Sequence, residues 1–316
     1  MTSLSRIARA AARFVARKRN ALALVVVFAY VATAVATPAL SPPDDPTQPP
    51  GFKVVGNAYR DRVPHPPGEA PPLGTTSQQY DVFHSLVWGA RSALRFGLIV
   101  AGVSAALGTL VGALSGYVGG RLHGLVMRVA DAFLAFPAVV GVLLFSRLFA
   151  TDVRDPFVPP TPIPSLLADL GLNAIIVTLI AFSWMPYARL VSANVQRFKE
   201  TDFVTAARAV GARPGRILFR HLLPHALSPA VVLVARDVGY MVILDGTFAF
   251  FDLGGTVEWG QILAQNRTWI LGIGGNPFTY WWVFLPPMLA LIGFGVAWNV
   301  IGDGLNVSLN PRANRR

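Results

Sequence analysis

The chain has no cysteine, so structural disulfides and thiol chemistry are excluded, and the count says nothing about redox compartment. It is also poor in charge: Asp, Glu, Lys and Arg make up 14% of 316 residues, against about 25% in soluble domains. Acids are the scarcer sign, 16 against 27 Lys and Arg. No G-x-x-x-x-G-K-[ST] phosphate loop occurs, so any nucleotide hydrolysis belongs to another chain. There is no His/Asp/Glu cluster or nucleophile constellation of an enzyme. His221 and His225 lie four apart, but Pro224 intervenes and no carboxylate or third histidine accompanies them, so no metal site is expected.

What is present is apolar sequence, 53% of the whole, gathered into runs without formal charge. These are 21–43, 96–120, 132–146, 170–188, 222–235 and 268–302. A spanning helix needs roughly 20 mainly apolar residues. The longer runs suffice. The shorter two reach that length if Arg128 and Asp131, or Arg236 and Asp237, are admitted. Six transmembrane helices in an all-α polytopic membrane protein are therefore predicted.

The cations sort by loop. Arg6, Arg9, Arg13, Arg17, Lys18 and Arg19 precede the first run; Arg121 and Arg128 follow the second; Arg189, Arg197, Lys199, Arg208, Arg213, Arg216 and Arg220 follow the fourth; Arg312, Arg315 and Arg316 end the chain. The alternate loops hold fewer: Lys53, Arg60, Arg62, Arg147, Arg154 and Arg267. Cytoplasmic loops carry the excess of Lys and Arg, which predicts both termini in the cytoplasm. It also accounts for the net charge of +11 by topology, without nucleic acid. The basic start and the small residues of "ATAVAT" resemble a cleavable signal. Retaining the first span keeps the number even, and retention is the expectation.

The expected organisation is a basic segment at 1–20, a first span at 21–40, an external Pro-rich segment with an interfacial helix at 41–90, a permease core at 91–307 and a tail at 308–316. The prolines from 38 to 72 oppose helix. Small residues in "AGVSAALGTLVGALSGYVGG" let helices approach closely, which predicts a buried second span. Asp131 sits near the end of the third; Arg128, three residues back, is its expected partner on the same face. Arg236, Asp237 and Asp245 fall in or near the fifth. Intramembrane charges face a bundle interior or a water-filled cavity, so Asp131, Arg236, Asp237 and Asp245 are candidate pathway-lining residues. The Asn266-Arg267-Thr268 triplet fits the glycosylation pattern, a match common by chance.

Residues 205–231, "TAARAVGARPGRILFRHLLPHALSPAV", are too polar to span. Phe203, Ala206, Ala207, Val210 and Gly211 recur at helical spacing as a small-residue face. Gly211 and Pro214 break the helix, and Ile217, Leu218, His221 and Leu222 continue an apolar stripe on a second one. A small face allows close docking into a groove on another protein, with arginines offering bidentate pairs to acids. On composition alone, a basic helix lying on anionic lipid remains equally open.

The same stretch resembles the EAA loop of permease subunits of binding-protein-dependent ABC importers, with Ala206, Ala207, Gly211, Leu223 and Pro224 matching and Thr205 standing where the family usually has Glu. "PLGTTSQQYDVFHSLVWGARSAL", "GYVGGRLHGLVMRVADAFLAFP", "FSWMPYARLVSANV", "EWGQIL" and "NVIGDGLNVSLNPR" resemble the dipeptide/oligopeptide/nickel branch, although Gln79-Tyr80-Asp81 replaces its usual Gly-Arg-Asp. The resemblance implies the type I importer permease fold in the plasma (inner) membrane, forming half of a pathway for peptides, nickel or another small solute. It also implies a second permease, two cytoplasmic ATPases that bind the ATP, an external binding protein, and no cofactor in this chain. The loop at 197–222 would be the coupling helix, with Thr205, Ala206, Ala207, Val210, Gly211, Ile217, Leu218, Leu223 and Pro224 as its ATPase-coupling residues. An ion-coupled secondary transporter, which needs no ATPase, is the rival class.

Overall fold

The computed structural model describes residues 14–43, 50–56, 61–69, 71–137, 139–142, 144, 173–272 and 276–309. Among these the regular elements are helical, with two isolated extended bridges, Val54 to Tyr80 and Thr75 to Asp81. In chain order they are α1 (Lys18–Leu40), α2 (Val82–Val118), α3 (Gly120–Ala135), α4 (Ala174–Ser183), α5 (Met185–Lys199), α6 (Asp202–Ala209), α7 (Pro214–Ala226), α8 (Ser228–Phe250), α9 (Glu258–Gln265) and α10 (Arg267–Ile270). A 3-10 segment, Pro277–Val283, then leads into α11 (Leu285–Leu309).

Among the described residues, four helical stretches are long and apolar enough to cross a membrane: Lys18–Leu40, Val82–Val118, Ile175–Lys199 and Leu285–Ser308. Helices α7 and α8, bent by 56° at their junction, meet the same measure only when taken together. The predicted fifth span is corrected in position. Its unbroken apolar helix starts at Ser228 and runs to Phe250, which places Arg236, Asp237 and Asp245 inside it. Residues 1–13, 145–172 and 310–316 lie outside the described residues, and with them part of the predicted third span at 132–146. The residues expected to form an interfacial helix leading into the second span belong, from Val82 on, to α2, whose 37 residues measure about 55 Å. Asp81 starts it by accepting hydrogen bonds from the amides of Phe83 (2.8 Å) and His84 (3.2 Å).

The chain divides into two compact units. The first comprises Met1–Ala11, Ile99–Ala235 and Gly302–Arg316. Its packing rests on close backbone approach. A Cβ added at Gly108, Gly112 or Gly116 would lie 2.1, 2.3 or 2.9 Å from the carbonyl oxygens of Trp184, Ala188 or Ser192, so α2 presents glycine to the same face of α5 turn after turn. Its apolar core joins Ala113, Tyr187, Val191 and Val195 to Val204, Ile217, Leu218 and Leu222.

The second unit comprises Ala12–Leu98 and Arg236–Ile301. Tyr30 of α1 donates to the carbonyl of Ala290 (2.9 Å) and packs edge-on against Phe294, with Trp259 alongside. The segment before α2 and the start of α2 are tied down by bonds between side chains and main chain: Trp282 donates to Thr75 O, Trp259 to Leu86 O, and Asn266 accepts from the amide of Ser77. Asn266 is fully buried, which leaves the glycosylation triplet without an accessible acceptor.

Candidate functional site

The basic stretch forms a helical hairpin. Asp202 stands in the first turn of α6, where the helix dipole favours an acid. The helix ends at Ala209 through paired bonds, Ala212 N to Ala207 O (3.0 Å) and Gly211 N to Arg208 O (2.9 Å). This is the Schellman arrangement, which needs a left-handed residue. Gly211 supplies it at φ +79°, and Pro214 opens α7 at its first position. The glycine of the motif is thus a backbone requirement; the space where its Cβ would sit is open.

Burial divides the hairpin into two faces. Val204, Ile217, Leu218 and Leu222 are 3% exposed or less and fasten it to the first unit's core, with Ala207 and Leu223 partly buried beside them. The outer face carries Phe203 (41% exposed), Ala206, Val210 (85%) and Phe219 (52%), surrounded by exposed Arg208, Arg213, Arg216 and Arg220. Thr205, Gly211 and Pro224 are also exposed. Of the residues the sequence singles out, Thr205, Ala206, Val210, Gly211 and Pro224 therefore offer surface. Ile217 and Leu218 point inward together with Leu222, so the apolar stripe of the second helix is the side packed on the core. Phe219 was not anticipated; a lone phenylalanine between arginines was its only signal. His225 lies against the rings of Phe198 and Phe203.

Asp131 pairs with Arg189 of α5 (2.8 Å), not with Arg128. The three-residue spacing made Arg128 a neighbour, but the contact runs between helices, and both partners remain more than half exposed.

In the second unit, α8 also has two faces. Val238, Met241, Val242, Asp245, Phe248 and Ala249 are buried. Arg236, Tyr240, Ile243 and Thr247 are exposed, and their 4-3-4 spacing makes one stripe. Asp237 is half-buried. Asp245 does not belong to the exposed stripe. Its carboxylate accepts from the amide and hydroxyl of Thr256 (3.0 Å each) and the amide of Val257 (2.9 Å), clamping the turn after α8. A buried carboxylate needs such donors, and the returning chain provides them. Glu258, on α9 outside the spans, is 8% exposed and accepts from the Ser92 hydroxyl (2.9 Å) through Oε1, while Oε2 is buried without a partner. Burial pushes its carboxyl up to about 7, against the opposing Ser92 bond.

A multi-pass helical protein with a basic hairpin held on its core fits a membrane transport component better than a soluble or catalytic one. Residues 108–315 match the family described as the binding-protein-dependent transport system inner membrane component, and the chain belongs to that family. It is 32% identical over 250 residues to a putative peptide transport system permease protein of Brucella suis, covering 78% of this chain and 75% of the relative. It is 29% identical over 301 residues to a dipeptide transport system permease protein of Alkalihalophilus pseudofirmus, covering 93% and 87%. With an oligopeptide transport system permease protein of Bacillus subtilis it shares 25% over 317 residues, 99% of this chain and 92% of that one.

Proposed function

We propose that the chain is a six-span permease half of an ATP-driven importer for dipeptides or oligopeptides, with both termini in the cytoplasm and the α6–α7 hairpin docked on a cytoplasmic ATPase. The observation that carries this reading is the exposure of three large apolar side chains, Phe203, Val210 and Phe219, interspersed with exposed arginines along a hairpin whose remaining apolar residues are fastened to the core. Water disfavours such a surface, and a partner groove with an acidic rim suits it. Thr205, Ala206, Val210, Gly211 and Pro224 contact the ATPase, while Ile217, Leu218, Ala207 and Leu223 pass the push inward. The relatives named for peptide transport favour peptides over nickel or another small solute as cargo. A second permease, a paralogue that forms a heterodimer with this chain, completes the path, two ATPases hold the ATP, and an external binding protein delivers the solute; this chain needs no cofactor. Asp131, paired with Arg189, is a path-lining candidate, as are Arg236 and Asp237.

Val210→Glu tests the docking surface. The variant should insert normally yet lose at least about ten-fold in ATP-dependent peptide uptake, as expected when a charge enters an apolar interface centre. Wild-type uptake by V210E would remove the docking role.

A further inference from the structure

Arg236 lies about 12 Å along α8 from its first residue, a third of the way through the helix. Its stripe continues through Tyr240 (54% exposed), Ile243 (42%) and Thr247, while the opposite face is buried. A guanidinium facing hydrocarbon at that depth is costly, so the stripe faces water or protein. Among the described residues no acidic side chain forms an ion pair with Arg236. The same stripe runs into an apolar cleft of about 270 Å³ lined by Ile243, Thr247 and Phe250 of α8, Leu263 of α9, and Met288 and Leu291 of α11. Seven residues of helix separate Arg236 from Ile243, about 10 Å. Three extended residues of a peptide cover that distance.

We propose that Arg236 and this cleft form a solute station on the translocation path, in which the guanidinium binds the C-terminal carboxylate of a short peptide and the cleft takes an apolar side chain about three residues upstream. The inference rests on the importer reading and names its substrate chemistry. A planar guanidinium binds a carboxylate through paired hydrogen bonds, which a C-terminal amide cannot reproduce. The cleft is small for a whole ligand but adequate for one large side chain. Tyr240, one turn along, offers a hydroxyl and ring beside the bound main chain.

The test uses the assembled transporter, with its ATPases and binding protein, in proteoliposomes. Uptake of Phe-Ala-Ala is compared with that of its C-terminal amide. The same binding protein delivers both probes in every variant, so a change in their ratio belongs to position 236. Arg236→Gln should lower the preference for the free acid about ten-fold while amide uptake persists, and Arg236→Lys should retain part of it. An unchanged ratio in R236Q overturns the proposal. So does loss of both probes together with loss of the second permease from the complex, which would assign the charge to a subunit contact. If the wild-type complex takes up neither probe with ATP, the importer reading falls and this one with it. A second variant keeps the arginine: in Tyr240→Cys, the only thiol of this chain, Phe-Ala-Ala should slow labelling by a charged methanethiosulfonate reagent more than the amide does. Absence of labelling would place the stripe out of water and overturn the station.

Discussion

Glu258 shows how one side chain can make a membrane protein's stability depend on pH. Its folded carboxyl titrates at about 7, above the ordinary 4.5, so between those values the folded protein binds more protons than the unfolded chain. Stability therefore falls as pH rises from about 4.5 to about 7 and is level beyond, by an amount on the order of 3 kcal/mol. Thermal unfolding in detergent should show the decline in the wild type and its absence in Glu258→Gln, which keeps the shape without the titration; a parallel decline in both would assign it elsewhere. No sequence signal announced this residue, because a glutamate in "EWGQIL" reads as a solvated loop acid until Ser92, far away in the chain, closes over it. Gln79 is a similar case. The resemblance places glycine there, and the backbone explains why: φ is +60°, a conformation costly for other residues. This chain offsets the strain with side-chain bonds from Gln79 Nε2 to the carbonyls of Val63 (2.9 Å) and Asp61 (3.2 Å).

At the scale of the element, composition spoke most clearly where periodicity met small residues. The glycines of α2 predicted close approach, and the facing carbonyls of α5 supply it. Gly112→Ala should cost about 1–3 kcal/mol, since the added methyl lands on main chain that cannot swing aside. Gly102, where a Cβ meets nothing within 4 Å, is the matched control: its alanine variant should be neutral or slightly stabilising, by up to about 1 kcal/mol. Equal melting temperatures for the two would refute the packing argument. The hairpin was legible as two helices broken at Gly211 and Pro214, but not in its facing. The stripe of Ile217, Leu218 and Leu222 was legible at helical spacing, and burial shows that it is the side fastened to the core, which spacing alone does not decide. The charge-free run at 222–235, even with Arg236 and Asp237 admitted, covers only the first part of α8, which continues to Phe250.

For the whole molecule, apolar runs carried the multi-pass helical character. The all-helical character and the family followed from ordered motifs spread along the chain. What composition could not supply was pairing between distant elements: Asp131 with Arg189, Asp245 with Thr256, Tyr30 with Ala290. Each depends on tertiary approach that no local window contains. The proposed assembly has a direct consequence for purification. Extraction of the tagged chain from native membranes should bring down a second permease and ATPase subunits at fixed ratio, and V210E should retain the permease while shedding the ATPase. A chain that moves solute alone along an ion gradient would return the case to a secondary transporter.

The glycine seam between α2 and α5 bears on how motion travels. Where two helices meet through long side chains, rotamer changes can absorb a small displacement. Here backbone meets backbone at Gly108, Gly112 and Gly116, leaving almost no compressible layer. The pair behaves as a laminated beam, so a tug on the end of α5 that carries the hairpin arrives at α2 as tilt, undiminished by slack.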